Sequence, residues 1–169
     1  REYLYGKTAA HVIGYLGKIN SFQADSPNLK NLPPDALIGQ WGIERLHDDV
    51  LRGQSGERIV EVDAMGRQLR LIRYVPPVIG NDIKLSIDIN VQKAAEEAFG
   101  DKSGALIALN PNSGEIIAMV SLPSFDPNQF SRGITPKQWN SIINDRKNLM
   151  LNRAIQSEYP PGSIFKIIT

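Results

Sequence analysis

The sequence predicts an α+β chain in two parts: an irregular, mixed part over residues 1–80 and a second part over 81–169 that opens a larger mixed unit. Three observations predict it. Glycine and proline punctuate the first third densely, at Gly6, Gly14, Gly17, Pro27, Pro33 and Pro34, so only short elements fit between them. Arg58 to Asp63 and Gln68 to Val75 alternate or run apolar around Asp63-Ala64-Met65-Gly66, the pattern of a hairpin with glycine where positive φ is cheap. Pro76-Pro77 then stops that ladder, because proline cannot donate to it and biases the preceding residue to extended geometry; the break is placed near residue 80.

Within the first part, His11-Val12-Ile13 and Tyr15-Leu16 read as short strands, followed by a polar loop from Ser21 to Lys30. Ile43, Leu46, Val50 and Leu51 recur at helical spacing between Gly42 and Gly53, which predicts one short helix. In the second part, Lys84 to Ile87 reads as a strand. Val91, Ala94, Ala95, Ala98 and Phe99 share one face of a helix capped by Asp88 or Asn90 and ended by Gly100. Gly104 to Leu109 and Glu115 to Ser121 are apolar strands joined by the turn formers of 110–114, predicting a buried hairpin. Pro123 to Pro136 reads as a loop, and Thr135-Pro136 opens a helix to Ile143. Tyr159-Pro160-Pro161-Gly162 is a rigid, extended approach to a last helix over 163–169.

Composition narrows the function classes. With 169 residues, 41% hydrophobic and 22% charged, the chain can bury a core. A formal net charge of +1 supplies no field to recruit nucleic acid or an anionic membrane in bulk. The absence of cysteine excludes disulfides, thiolate metal sites and a cysteine nucleophile, and leaves the redox compartment open. Apolar runs such as Ala105 to Leu109 and Ile116 to Val120 fall far short of the roughly 20 residues that span a bilayer.

The chemistry concentrates in Ser163-Ile164-Phe165-Lys166. Pro160-Pro161-Gly162 cannot be helix interior, so Ser163 falls at the N-terminus of a helix and Lys166, three residues on, lies on the same face within reach of its hydroxyl. Serine then has a neighbouring base. The positive end of a helix dipole disfavours an ammonium and favours an oxyanion, and free N–H groups of the first turn, including that of Ser163, suit a tetrahedral intermediate. The bland reading is an N-cap serine followed by chance by a lysine, because serine is a preferred cap. In serine acyl-enzymes S-x-x-K is accompanied by S-D-N and K-T-G; neither occurs before the chain stops at Thr169, so the chain alone is expected to be inactive.

Longer stretches decide between these readings. LSIDINVQKAAEEAF (85–99), GALIALNPNSGEIIAMVSLPSFDPNQF (104–130), LNRAIQ (151–156) and YPPGSIFKIIT (159–169) closely resemble the start of the transpeptidase domain of class B penicillin-binding proteins. REYLYG, GQWGIERLHDDVLRGQSG and EVDAMGR resemble the non-catalytic pedestal, or dimerisation domain, of the same proteins, and HVIGYLG with EVDAMGR is closer to the elongation type than to the division type. Leu4 and Leu149 stand where the family usually has proline, and Ile164 where threonine is commoner; none removes a reactive group.

The resemblance implies a peptidoglycan D,D-transpeptidase of cell-wall elongation and cell shape, truncated here. Ser163 would attack the D-alanyl-D-alanine bond of a stem peptide, Lys166 would accept its proton, and β-lactams would trap the acyl-enzyme. It implies no metal or organic cofactor. It places the enzyme on the outer side of the inner membrane, through an anchor before Arg1, with glycan polymerase and scaffold proteins of the elongation machinery as partners. Two rivals are a pedestal that acts mainly as a docking platform, and a β-lactam sensor or lactamase relative; the pedestal motifs before residue 70 argue against the second.

Other conspicuous residues take structural readings. Glu44, Arg52 and Arg67 are expected to pair and hold the irregular part together. His11 and His47, far apart in sequence, read as surface or hydrogen-bonded histidines. Arg67, Arg70 and Arg73 should spread over both faces of a strand, without a basic patch. Trp41 and Trp139 read as packing residues, and Asp126-Pro127-Asn128 as a turn, which in the family lies on the surface.

Overall fold

The computed structural model describes every residue except 1, 21, 22, 24, 25, 28, 31, 34, 168 and 169. The predicted polar loop, the Pro33-Pro34 pair and the end of the last helix therefore lie partly outside the described residues. The elements are helix α1 (Ala10–Ile13), strands β1 (Leu16–Lys18) and β2 (Leu37–Gly39), helices α2 (Gly42–Leu46) and α3 (Asp48–Arg52), and strands β3 (Glu57–Val62) and β4 (Gln68–Val75). Helix α4 (Ile89–Phe99), strands β5 (Gly104–Leu109) and β6 (Ile116–Leu122), helices α5 (Pro127–Ser131), α6 (Pro136–Ile143) and α7 (Arg153–Gln156), and a 3-10 helix over Gly162–Ile167 complete the chain. Among the described residues the strands form three antiparallel pairs, β1–β2, β3–β4 and β5–β6.

Where local chemistry is decisive, the sequence expectations hold. Helix α6 carries a capping box in which the Thr135 hydroxyl accepts from the Gln138 N–H and the Gln138 side chain accepts from the Thr135 N–H. Asp88 caps α4 by accepting from the N–H groups of Asn90 and Val91, and Gly100 follows its last residue. The β3–β4 ribbon turns at the expected residues, with Gly66 at φ +79° and Glu57 opposite Val75. Arg67, Arg70 and Arg73 each meet an acid on that ribbon, Asp63, Glu61 and Glu57 respectively, so they form no free basic patch.

Other expectations are corrected. Residues 11–13 form one helical turn, not a strand: Val12 and Ile13 donate to the Ala9 carbonyl, and burial of Ala10 and His11 overrides the β-branched pair. Gly14, at φ +85°, then lets the chain reverse against residue 41, where a Cβ would sit 1.8 Å from the Trp41 carbonyl oxygen. The single helix expected over 43–51 is broken at His47 into α2 and α3, and the Asp48 carboxylate at the break accepts from the Gly39 N–H. Residues 84–87 are not a strand; Ser86 Oγ donates to the Ile116 carbonyl and the Asp88 N–H to that of Ile117, after which the chain turns into α4. The expected loop of 123–136 contains α5, and Asp126-Pro127-Asn128 is its cap and first residues rather than a surface turn. Pro127 is buried, and Asn128 grips the Tyr3 backbone from both sides, accepting from its N–H and donating to its carbonyl.

The β5–β6 hairpin is buried on one strand only. Ala118, Val120 and Ser121 of β6 are buried, whereas Leu106, Ile107 and Leu109 of β5 are exposed. Helix α4 is rotated from the expected face: Val91, Ala94 and Ala98 are exposed, Ala95 and Phe99 stay half-buried, and fully buried Gln92 takes the central place. Its amide imitates a strand, donating to the Met119 carbonyl at 3.0 Å and accepting from the Met119 N–H at 2.8 Å, while Nε2 also donates to Glu96. Gln92→Leu keeps most of the volume and strands both Met119 groups, so it should destabilise the chain by about 3 kcal/mol in denaturant titration. A loss below about 1 kcal/mol would mean that water replaces the amide.

The hydrophobic core draws on both parts of the chain. Ala10 and Tyr15 pack with Phe125, Phe130 and Ile142, and Trp41, Ile134, Leu149 and Met150 close around them. Further clasps join the two parts: the Ala9 N–H donates to Glu96, and the Lys93 ammonium lies 4.3 Å from the centre of the Tyr5 ring.

Candidate active site

Gly162 enters the serine segment at φ +56°, a conformation that glycine adopts without strain. The turn that follows is a six-residue 3-10 helix, not the α-helix expected, and Ser163 is its second residue. With three residues per turn, positions i and i+3 eclipse, so Ser163 and Lys166 stand one above the other more directly than on an α-helix. So short a turn carries less macrodipole than an α-helix would. Both side chains are exposed.

Just before this segment, within the 151–156 stretch, a cap and a buried arginine hold the chain to β6. Asn152 caps α7 by accepting from the Ala154 N–H, and Arg153 is buried. Its guanidinium donates to the carbonyls of Lys147, Asn148 and Leu151, and its backbone N–H donates to Ser121 Oγ, which in turn donates to the Leu151 carbonyl. A buried arginine whose donors are spent on carbonyls is a structural anchor, and it fixes α7 to β6 at the root of the 157–162 approach. The Asn152 cap was legible locally; the partnership with Ser121 was not.

The residues read as structural pairs hold different partners. Glu44 is buried and accepts from the Tyr3 hydroxyl, Arg52 pairs with Asp48 at 3.4 Å, and Arg67 pairs with Asp63 within its own turn. Trp41 packs on the core, and Trp139 meets Phe130 edge-on while keeping one side open.

His11 is neither a surface nor a hydrogen-bonded residue. It is 5% exposed, stands edge-on to Phe125 at 5.1 Å, and neither ring nitrogen reaches a hydrogen-bonding partner in good geometry. Burial pushes it down to about 4 from 6.5; the nearby Arg153 charge adds to this, and the Pro123 and Leu149 carbonyls favour the protonated ring without offsetting it. Below pH 6.5 the unfolded chain therefore binds a proton that the folded chain refuses. Stability should fall between about pH 6.5 and pH 4 by about 3 kcal/mol, and level off below. Asp63, whose carboxyl the Arg67 N–H and guanidinium hold below 3.8, loses its contribution only below that value, outside this window. Melting across pH 7 to 4 should slope for the wild type and flatten for His11→Gln; parallel slopes would refute the assignment.

Comparison with known proteins places these features. Residues 1–85 match the penicillin-binding protein dimerisation domain and residues 104–169 the penicillin-binding protein transpeptidase domain. The peptidoglycan D,D-transpeptidase MrdA of Escherichia coli K12 is 41% identical over 170 aligned residues, covering 98% of this chain and 27% of that protein. The chain thus spans about a quarter of the curated relatives it matches. Among solved structures, the complex between PBP2 and MreC from Helicobacter pylori aligns with a TM-score of 0.79 at 31% identity, over 98% of this chain and 31% of that one. Pseudomonas aeruginosa PBP2 in complex with WCK 5153 aligns at 0.75 and 36% identity, over 98% and 33%.

Proposed function

Because the chain belongs to the penicillin-binding proteins, we propose that the whole protein is a peptidoglycan D,D-transpeptidase of the elongation type, with Ser163 as nucleophile and Lys166 as general base. The observation that carries this reading is the order of the two family matches, the second running across Ser163 and Lys166. Ser163 Oγ attacks the carbonyl of the D-alanyl-D-alanine bond while Lys166 Nζ takes its proton. The Ser163 N–H helps hold the oxyanion; the terminal D-alanine leaves as its amine takes a proton, and an ester to Ser163 remains. The amine of a neighbouring strand attacks that ester, completes the cross-link and restores the serine. A β-lactam carbonyl enters the same first step, and its opened ring stays attached.

On this reading residues 1–80 form most of the pedestal and 81–169 the opening of the catalytic domain. No described helix is long and apolar enough to cross a membrane; the proposal is that the whole protein is anchored in the inner membrane with this part outside the cytoplasm. The Helicobacter pylori complex with MreC supports a second role for the pedestal, docking scaffold proteins of the wall-elongation machinery. Exposing the full-length protein to a fluorescent penicillin and mapping the adduct by peptide mass spectrometry tests the enzyme reading. The adduct is expected on Ser163; a protein that never labels, or labels elsewhere, would overturn it.

A further inference from the structure

A cavity of about 650 Å³ opens where residues 15–40 meet 130–139, and none of residues 157–167 lines it. Its size lies within the roughly 300–1,000 Å³ of small-molecule sites. One wall is aromatic: Tyr15 stacks on Phe130 at 4.2 Å, Phe130 meets Trp139 edge-on at 6.0 Å, and Trp139 remains 36% exposed. The buried rings of Tyr15 and Phe130 are core, so Trp139 is the ring offered to a ligand. Charge enters from the other sides, with Lys18 on β1, Arg132 just after α5 and Asp35 ahead of β2. Lys18 is exposed and has no ion-pair partner among the described residues. Arg132 reaches Glu2 at 3.6 Å, but with side chains 72% and 69% exposed this pair holds the guanidinium only weakly.

A half-open indole beside two available cations suits a ligand with a C–H-rich ring face and a carboxylate arm. Charges on three sides of the cavity favour a polar ligand over a purely apolar one, and a nucleic acid finds no supporting field at a net charge of +1. We propose that this cavity is a glycopeptide-binding site separate from the serine: a sugar ring lies on Trp139, a peptide carboxylate is held at Lys18 and Arg132, and Asp35 accepts from sugar hydroxyls. The inference rests on the proposed transpeptidase function, which makes glycan bearing stem peptides the polymer at hand. It adds a place where one strand is held while another reacts.

The test is a titration of the full-length protein followed by the assigned indole N–H signals of its tryptophans, Trp41 and Trp139 among them. The probe is a soluble disaccharide-tripeptide; the peptide-free disaccharide and the sugar-free tripeptide are controls. The Trp139 signal, assigned with Trp139→Phe, should shift and saturate in the millimolar range or below while that of Trp41 stays still. Each control should bind at least about fivefold more weakly, and Lys18→Ala and Arg132→Ala should each weaken the intact probe severalfold. An unmoved Trp139 at about 10 mM, or a disaccharide binding as tightly as the glycopeptide, would overturn the proposal. Penicillin labelling of the full-length protein separates the two readings: labelling with an unmoved Trp139 removes the cavity alone, whereas absent labelling removes the enzyme.

Discussion

In the full-length protein, Ser163→Ala should abolish covalent labelling by a fluorescent penicillin, and Lys166→Ala should slow it by about 10²–10⁴-fold. The two effects differ in kind. Without Oγ there is no atom to form the ester. Without Nζ the hydroxyl keeps its proton and attacks slowly, although the drug still meets the same backbone donors. Saturation kinetics should therefore show the lysine effect in the acylation rate and little in the drug concentration at half-saturation. The structure supplies the control, because both side chains are exposed and neither holds the fold. Either substitution should leave the stability of the 169-residue chain within about 0.5 kcal/mol. Labelling that survives Ser163→Ala would place the nucleophile elsewhere, and an unchanged rate in Lys166→Ala would do the same for the base.

That control is informative because the candidate pair, Ser163 and Lys166, and the contacts of the segment before it are written in the sequence at different ranges. Ser163 and Lys166 are three residues apart, and any helix-like turn with three to four residues per turn puts both positions on one face, so the shift from α to 3-10 keeps that placement. Thr135 and Gln138 fixed α6 in the same way, through contacts no longer than four residues. Long-range support left no such trace. Arg153 leans on Ser121, 32 residues away, and Gln92 on Met119, 27 residues away; nothing local marks a polar residue as the one that will be buried. The same blindness explains the rotated face of α4, on which Ala95 and Phe99 stay half-buried beside Gln92. An apolar stripe predicts burial on average, but a glutamine able to satisfy an N–H and a carbonyl on one strand took the inner position instead. For His11-Val12-Ile13, strand propensity lost to the burial of Ala10 and His11 against Phe125.

Phe125 is where those long-range contacts meet, and Phe125→Ala should cost about 3–5 kcal/mol in denaturant titration of the 169-residue chain. The ring is 2% exposed and meets three others edge-on, His11 at 5.1 Å, Tyr15 at 5.7 Å and Phe130 at 5.5 Å. Removing it takes away the transfer free energy of the ring and the mutual packing of that cluster, and leaves a void that α1 and α5 are too constrained to fill. Phe125→Leu, which refills most of the space, should cost less than half as much. The loss should also have a direction. Tyr15 and His11 come from the first part of the chain and Phe130 from the second, so the truncation should loosen the seam between them before it loosens α6, whose capping box is self-contained. Amide exchange should accelerate at Tyr3 and Ala9, which donate across the seam to Asn128 and Glu96, more than at Trp139 within α6. Uniform acceleration would mean that the chain unfolds as one unit. A cost below about 1 kcal/mol, with Tyr3 and Ala9 unchanged, would mean that the two parts stand without the aromatic cluster, and that the clasps at Asn128, Glu96 and Lys93 hold them instead.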